Sequence, residues 1–306
     1  MNNFQDILDK YKLKPYKYKY INEACIIYTD NGNYVIKKKI KNNKDEIYDY
    51  LLSRDFISFL YPENSSNDEY EIYSYIDEVN IDKNLKAKDL IYIISDLHNR
   101  TTSYKKIDLD EIKEIYEEKQ EKIKYLENYY NDLEEVFILH VYNSPSEYLL
   151  LRNIDKIYNT LNYSKILLDR WYSIITNNPT VRLTMNHNHL SLDHFIDNHD
   201  AKLINFDYAK LDYPINDIAY FYKQHYLDLD MESLYSIYKH KFKCNLEEEL
   251  MLFIEIMLPW KIFFTDNNLD NTIKVYKLNK YLDVTREFIL KQEKKDKKTD
   301  NSEENK

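Results

Sequence analysis

The 306 residues hold 43 Lys and Arg against 53 Asp and Glu, a formal net charge of −10, with 43% hydrophobic and 15% aromatic side chains. That is apolar surface enough for one large domain or two lobes, and the acidic balance excludes nucleic acid as the main partner, because phosphate backbones call for a basic surface. Cys25 and Cys244 lie far apart without metal-ligand spacing, the N-terminus has no basic-then-apolar leader, and no apolar run nears the ~20 residues of a membrane span; cytoplasmic residence is expected.

Residues 14–40 read as an antiparallel β-meander. KPYKYKYI alternates, residues 24–29 are β-branched and aromatic, and Asp30-Asn31-Gly32-Asn33 supplies a hairpin turn before YVIKKKI. Residues 43–53 have helical spacing at Ile47, Tyr50 and Leu51, and 56–61 and 70–76 read as two further strands around a polar loop at 62–68. Long helices then take over at 88–100 and 109–135, the second with Ile112, Ile115, Ile123, Leu126, Tyr130 and Leu133 along one side. Ser144-Pro145-Ser146-Glu147 combines an N-cap, a Pro at the first helical position and a Glu at the third, a capping box that starts a helix; another spans 163–176. Short strands at 181–185, 194–196 and 202–204 bracket polar loops. Asn216 caps a helix beginning at Asp217, and helices follow at 231–242, 246–264 and 272–291. The stretch 292–306 has charge without apolar residues and reads as a disordered tail. The 32 Tyr and single Gly, with much Asn, Lys and Ile, follow from base-biased codons and form no stacking platform.

The window 183–209, LTMNHNHLSLDHFIDNHDAKLINFDYA, is laid out for kinase-type phosphoryl transfer but carries amides where that chemistry uses carboxylates. Such transfer needs an Asp to orient the hydroxyl nucleophile and accept its proton, and an Asn with a second Asp to hold the metal on the nucleotide phosphates. The chain resembles the kinase-like superfamily in its aminoglycoside phosphotransferase and choline kinase branch, particularly the spore-coat kinase-like proteins of Gram-positive bacteria, over nearly its full length. That branch reads approximately H-G-D-x-x-x-x-N, a hairpin, then I-D-F-[ED]-Y-A. Here Asn186-His187-Asn188 stands for His-Gly-Asp, Asp193 for the metal Asn, and Ile204-Asn205-Phe206-Asp207-Tyr208-Ala209 for the last motif. Tyr34-Val35-Ile36-Lys37 resembles the small-lobe strand whose Lys binds the α/β-phosphates, with Glu46 as the acid that would orient Lys37 and Asp45 next. Lys37 also belongs to a run with Lys38 and Lys39, which a solvated strand end equally explains. Leu97-His98 resembles the segment ending the first large-lobe helix, and Asn216-Asp217-Ile218-Ala219 resembles [YH]-D-[LI]-A, which makes Asp217 a support for the catalytic loop.

The resemblance implies an α+β, bilobal protein kinase-like fold: a small antiparallel N-lobe at 1–76 and a mainly helical C-lobe at 77–291, with the catalytic-loop-like segment inside it. It implies ATP as cofactor, a nucleotide or small molecule in the interlobe cleft or else a protein partner, and an association with spores. Two departures bear on activity. The turn 21–24 has no glycine for close approach to phosphates, a mild change in this branch. The amides weigh more: Asn188 cannot accept a proton at neutral pH, and Asn205 offers a neutral carbonyl where Mg²⁺, a hard cation, favours carboxylate, which argues against Mg²⁺. Asp193 and Asp207 are the carboxylates that could restore a metal site. The expected function is a pseudokinase acting as a binding or scaffold module; the alternative is an atypical ATP-dependent phosphotransferase acting on a small-molecule hydroxyl. A metal centre from His187, His189, His194 and His199 with Asp193 has the right ligand types but no H-E-x-x-H or Cys partner.

Overall fold

The computed structural model describes residues 2–40, 44–63, 69–198 and 200–303. In chain order the elements are α1 (Asn2–Lys10), β1 (Pro15–Ile21), β2 (Ala24–Thr29), β3 (Gly32–Lys38), α2 (Lys44–Ser53), β4 (Tyr70–Ser74), α3 (Lys83–Thr101) and β5 (Ser103–Lys106). There follow α4 (Leu109–Ile138), α5 (Pro145–Asn177), β6 (Thr180–Asn186), β7 (Phe195–Ile196), β8 (Lys202–Leu203) and β9 (Lys210–Asp212), then α6 (Ile215–His225), α7 (Met231–Phe242), α8 (Leu246–Met257) and α9 (Asn268–Glu303). His199, Asn43 and residues 64–68 of the polar loop, all named from the sequence, lie outside the described residues. Two compact units result, one built on residues up to Thr102 together with Thr184–Asp212, the other on Ser103–Leu183 together with residues from Tyr213 onward.

In the first unit β1 to β4 form an antiparallel sheet in sequence order. Gly32, at φ +140°, closes the β2–β3 hairpin in a backbone region that L side chains avoid, and the Thr29 hydroxyl donates to its carbonyl at 2.7 Å. Cys25, Ile36 and Ile72 pair across three strands and face a core completed by Ile7 and Leu8. Those two come from α1, an element missed in the sequence although Phe4, Ile7, Leu8 and Tyr11 have helical spacing. Side chains alternate along a strand, so the neighbouring set Ala24, Lys37 and Glu71, also paired across three strands, occupies the opposite face. Helix α2 buries Lys44, Ile47, Tyr48 and Leu51, the i, i+3, i+4, i+7 stripe, so its first turn brings an ammonium group into the interior.

Residues 56–61 differ from expectation: they make one parallel bridge, Phe59 to Leu203, flanked by Leu60 N–H to the Leu203 carbonyl at 3.1 Å and Leu203 N–H to the Ser58 carbonyl at 2.9 Å. The aromatic side chains account for this. Phe56, Phe59, Tyr48 and Phe206 stack within 5.3–6.2 Å, anchoring the segment by its rings rather than by a ladder. Helix α3 starts at Lys83, ahead of expectation, because Asp82 caps it and accepts from Asn84 N–H at 2.9 Å. In the returning segment Thr184, Met185 and Asn186 pair with Asp212, Leu211 and Lys210, and β7 pairs with β8.

The second unit is mainly helical, with β5 pairing along the first half of β6. Helix α5 starts at the expected capping box, Ser144 N–H donating to the Glu147 carboxylate at 2.8 Å. It runs unbroken where the sequence suggested two helices, because no Pro or Gly interrupts it and Ile157, Leu161, Ser164 and Leu168 continue one buried stripe. Helix α8 stops at Met257, short of the expected 264, since Pro259 has no N–H to continue it. Helix α9 runs on from Gln292, itself buried, to Glu303, over the stretch expected from its charge to be a disordered tail. Among the described residues no helix is long and apolar enough to cross a membrane.

Candidate functional site

Within the first unit, the sheet face carrying Lys37 and Glu71, the buried stripe of α2 and the 204–208 turn bring four charged side chains together. The Lys37 ammonium donates to Asn205 Oδ1 at 2.5 Å and to Asp207 Oδ2. Lys44, only 1% exposed, pairs with Asp207 Oδ1 and donates to Glu71 Oε2 at 2.6 Å. Tyr73 OH also donates to Glu71 at 3.0 Å and lies 3.3 Å from Tyr48 OH; burial pushes both phenols up, so they stay protonated. Burial alone would raise the Asp207 carboxyl, but hydrogen bonds and charge from Lys37 and Lys44 outweigh it and hold the group below the usual carboxylate range. Two ammonium groups therefore face two carboxylates, and the charge sums to zero.

Asn205 links this network to a histidine. Its backbone is left-handed, φ +68°, which Asn adopts more readily than most residues. With Oδ1 taken by Lys37, its amide nitrogen meets His194 Nε2 at 3.0 Å, while His194 Nδ1 lies 2.8 Å from the His189 carbonyl. The arrangement requires His194 to donate from Nδ1 and accept at Nε2, the neutral form. Burial favours that form, and the neighbouring charges of His187, His189 and Lys37 add to it against the bond to the His189 carbonyl, so the His194 pKa is lowered. A carboxylate at 205 would offer only acceptors, so the relay as built calls for an amide. His187 is fully buried, its Nε2 2.8 Å from the Ile204 carbonyl and its ring edge-on to Phe206 at 5.2 Å, which ties the loop after β6 to the turn bearing Asn205 and Asp207.

No protein-family model matches the chain, and no curated protein matches it in sequence. In three dimensions it matches an aminoglycoside phosphotransferase from Alicyclobacillus acidocaldarius at a TM-score of 0.71 and 13% identity, over 94% of this chain and 96% of that one. The chain has the kinase-like fold of the aminoglycoside phosphotransferases. A spectinomycin phosphotransferase also matches: its AMP-bound complex has a TM-score of 0.53 at 11% identity, over 92% of this chain and 97% of that one. Its complex with ADP and spectinomycin gives 0.52 at 11% identity, over 93% and 98%. The α+β kinase-like architecture expected from the motifs, with a small antiparallel sheet first and helices after, is the one adopted.

Placed in this kinase-like fold, the residues named from the sequence separate. Lys37, Asn205 and Asp207 meet. Glu46, expected to orient Lys37, is instead exposed on α2, and the helix turns Lys44 inward in its place. Asp45 lies 3.9 Å from the Lys39 ammonium. Asn188 is half-buried in a left-handed backbone, φ +57°, in the loop after β6. Asp193 is the middle residue of a single 3-10 turn, Leu192–His194, exposed, its N–H donating to Ser191 Oγ at 3.2 Å. Asp217 is fully buried in the first turn of α6 in the second unit. Of the expected metal set of Asp193, Asn205 and Asp207, the last two meet at Lys37: both Asp207 oxygens face ammonium groups, and the Asn205 amide is bonded at both ends. Among the described residues no group of three or more His, Cys, Asp or Glu side chains could hold a metal ion. The His194 ring contacts those of His187 and His189, and among the described residues these histidines form no metal-holding group with Asp193. Sequence reasoning missed Lys44 and Glu71. Lys44 was signalled by its place three residues before Ile47 on an apolar stripe, and Glu71 by its alternation with Ile72.

Proposed function

We propose that this protein is a kinase-fold binding or scaffold module without phosphoryl-transfer chemistry, taking a nucleotide or small molecule at the Lys37 site or serving a protein partner. One observation carries the reading: the buried carboxylate of the motif, Asp207, is held by two lysines, beside an amide that is itself a working part of the hydrogen-bond relay. Loss of a general base costs about 10²–10⁴ in rate. Freeing Asp207 means parting it from buried ammonium groups, a step of about 3–5 kcal/mol. Together these imply transfer about 10⁴–10⁸-fold below an intact site. The nucleotide complexes of the spectinomycin phosphotransferase support a nucleotide as ligand, and a scaffold role at the spore is proposed on the motif resemblance to spore-coat proteins.

The test is transfer of labelled γ-phosphate from ATP, with Mg²⁺ or Mn²⁺, to aminoglycoside and amino-alcohol acceptors. Transfer at least about 10⁴-fold below an intact site is expected, and turnover at ordinary enzyme rates would overturn the proposal. The second reading, an atypical phosphotransferase, is favoured by Asp193, a carboxylate exposed five residues after Asn188. It calls for metal-dependent transfer that Asp193→Ala abolishes.

A further inference from the structure

The oxygens that a kinase-type metal would share are already occupied by the chain's own cations. Lys37 Nζ bridges Asn205 Oδ1 and Asp207 Oδ2, and Lys44 Nζ covers Asp207 Oδ1. A divalent cation placed on Asn205 and Asp207 must displace the first ammonium and face the second. Lys44 has nowhere to retreat: its side chain is 1% exposed and Glu71, 6% exposed, holds it at 2.6 Å. Hard cations of this kind need anionic oxygens free to coordinate, and here each is neutralised by a protonated amine.

We infer that Lys37 and Lys44 take the charge-balancing part of a divalent metal, so that this site binds its ligand without metal and favours a weakly charged phosphate over a metal–nucleoside triphosphate. The proposal rests on the reading above, that a nucleotide or small molecule is taken here. Of the four charges only Lys37, 17% exposed, reaches toward solvent; Lys44 and Asp207 are each 1% exposed. The cluster is neutral, so it has one ammonium to offer an incoming anion and no surplus to match a triphosphate. A nucleoside monophosphate, which brings far less charge than a triphosphate to the one lysine that reaches solvent, is the ligand class that fits. Lys37 then turns from Asn205 and Asp207 to the phosphate, while Lys44 stays between Asp207 and Glu71.

The experiment uses the full chain and three probes: Mn²⁺ alone followed by electron paramagnetic resonance, and AMP and ATP followed by calorimetry in EDTA and in excess Mg²⁺. Wild type is expected to show no Mn²⁺ site that Asp207→Asn removes, to bind AMP with affinity unchanged within about twofold by Mg²⁺, and to bind ATP more weakly than AMP. Lys44→Met frees Asp207 Oδ1 and Glu71 Oε2 and should gain a Mn²⁺ site, lost again on adding Asp207→Asn; Lys37→Met, at the partly exposed position, serves if that variant does not fold. A wild-type Mn²⁺ site dependent on Asp207, or ATP binding that tightens tenfold or more with Mg²⁺, overturns the inference. Failure of both AMP and ATP to bind sinks nucleotide binding and with it the ligand class, while the Mn²⁺ measurement still decides the role of the lysines.

Discussion

Each unit contains a heavily buried charge cluster, around Asp207 in the first and Arg182 in the second, and these two are built differently. In the second unit Arg182 meets Glu248 through both ends of its guanidinium, Nε to Oε1 at 2.8 Å and Nη2 to Oε2, with further bonds to the Phe242 and Lys243 carbonyls and its plane 4.0 Å over the Phe242 ring. One cation meets one anion in a planar fork, with the helix-end carbonyls as extra acceptors. In the first unit Asp207 alone meets two ammonium groups, and balance is reached only through Glu71 from another strand. Arg182 and Glu248 form a self-contained structural staple. Around Asp207 the compensation draws in the residues that stand at motif positions, so satisfying buried charge and leaving a carboxylate free for chemistry are in direct competition.

The largest test of that contrast is Asp207→Asn, which leaves two ammonium groups facing one carboxylate. A loss of about 4–5 kcal/mol in urea unfolding is expected; a loss below about 1 kcal/mol would show that the lysines find other partners. Glu248→Gln should cost less, about 3 kcal/mol, because Arg182 keeps its two carbonyls and the Phe242 ring. A cost exceeding that of Asp207→Asn would reverse the ranking.

Asn205→Asp sharpens the comparison on the relay. The new carboxylate meets His194 Nε2 with an acceptor, so the variant favours protonated His194 and its folded-state pKa rises. Stability gained from that proton is present at low pH and lost as pH rises, giving a penalty of roughly 1–2 kcal/mol near pH 8 that shrinks toward pH 6, without any phosphoryl transfer. A pH-independent penalty would separate Asn205 from His194. Wild type shows the opposite sign. The folded His194 pKa lies below the unfolded value of about 6.5, so the unfolded chain binds the proton first and stability falls as pH drops below about 6.5 toward the folded pKa. His194→Gln should flatten that slope in thermal melts; an unchanged slope would assign it to another group. Smallest of all, Asn188→Asp should shift stability by less than about 0.5 kcal/mol and leave the protein without transfer activity.

The kinase-like fold was legible because its signals are local and repeated: the alternation in β1 to β3, the capping box at Ser144, the helical stripes, and the order of the motifs along the chain. The candidate site was legible in part. Asn205 and Asp207 could be placed from the I-N-F-D-Y-A segment and Lys37 from its strand, but their mutual contact could not, since Lys37 and Asp207 are 170 residues apart. Lys44 escaped notice because a buried lysine is visible only once its counter-charges are known, and those lie on β4 and the 206–208 turn. Glu46 was preferred for a reason of type alone: an acid was sought on α2, whereas the helix phase set by Ile47, Tyr48 and Leu51 turns position 44 inward and position 46 outward.

The direct measurement is a double-mutant cycle joining Lys44→Met and Asp207→Asn, read by urea unfolding at neutral pH. If the motif carboxylate is the structural counter-ion of Lys44, the double variant should recover about 2–3 kcal/mol relative to the sum of the single losses. Losses that add within about 0.5 kcal/mol would mean that Asp207 is not committed to Lys44 and is free to serve a ligand or a metal.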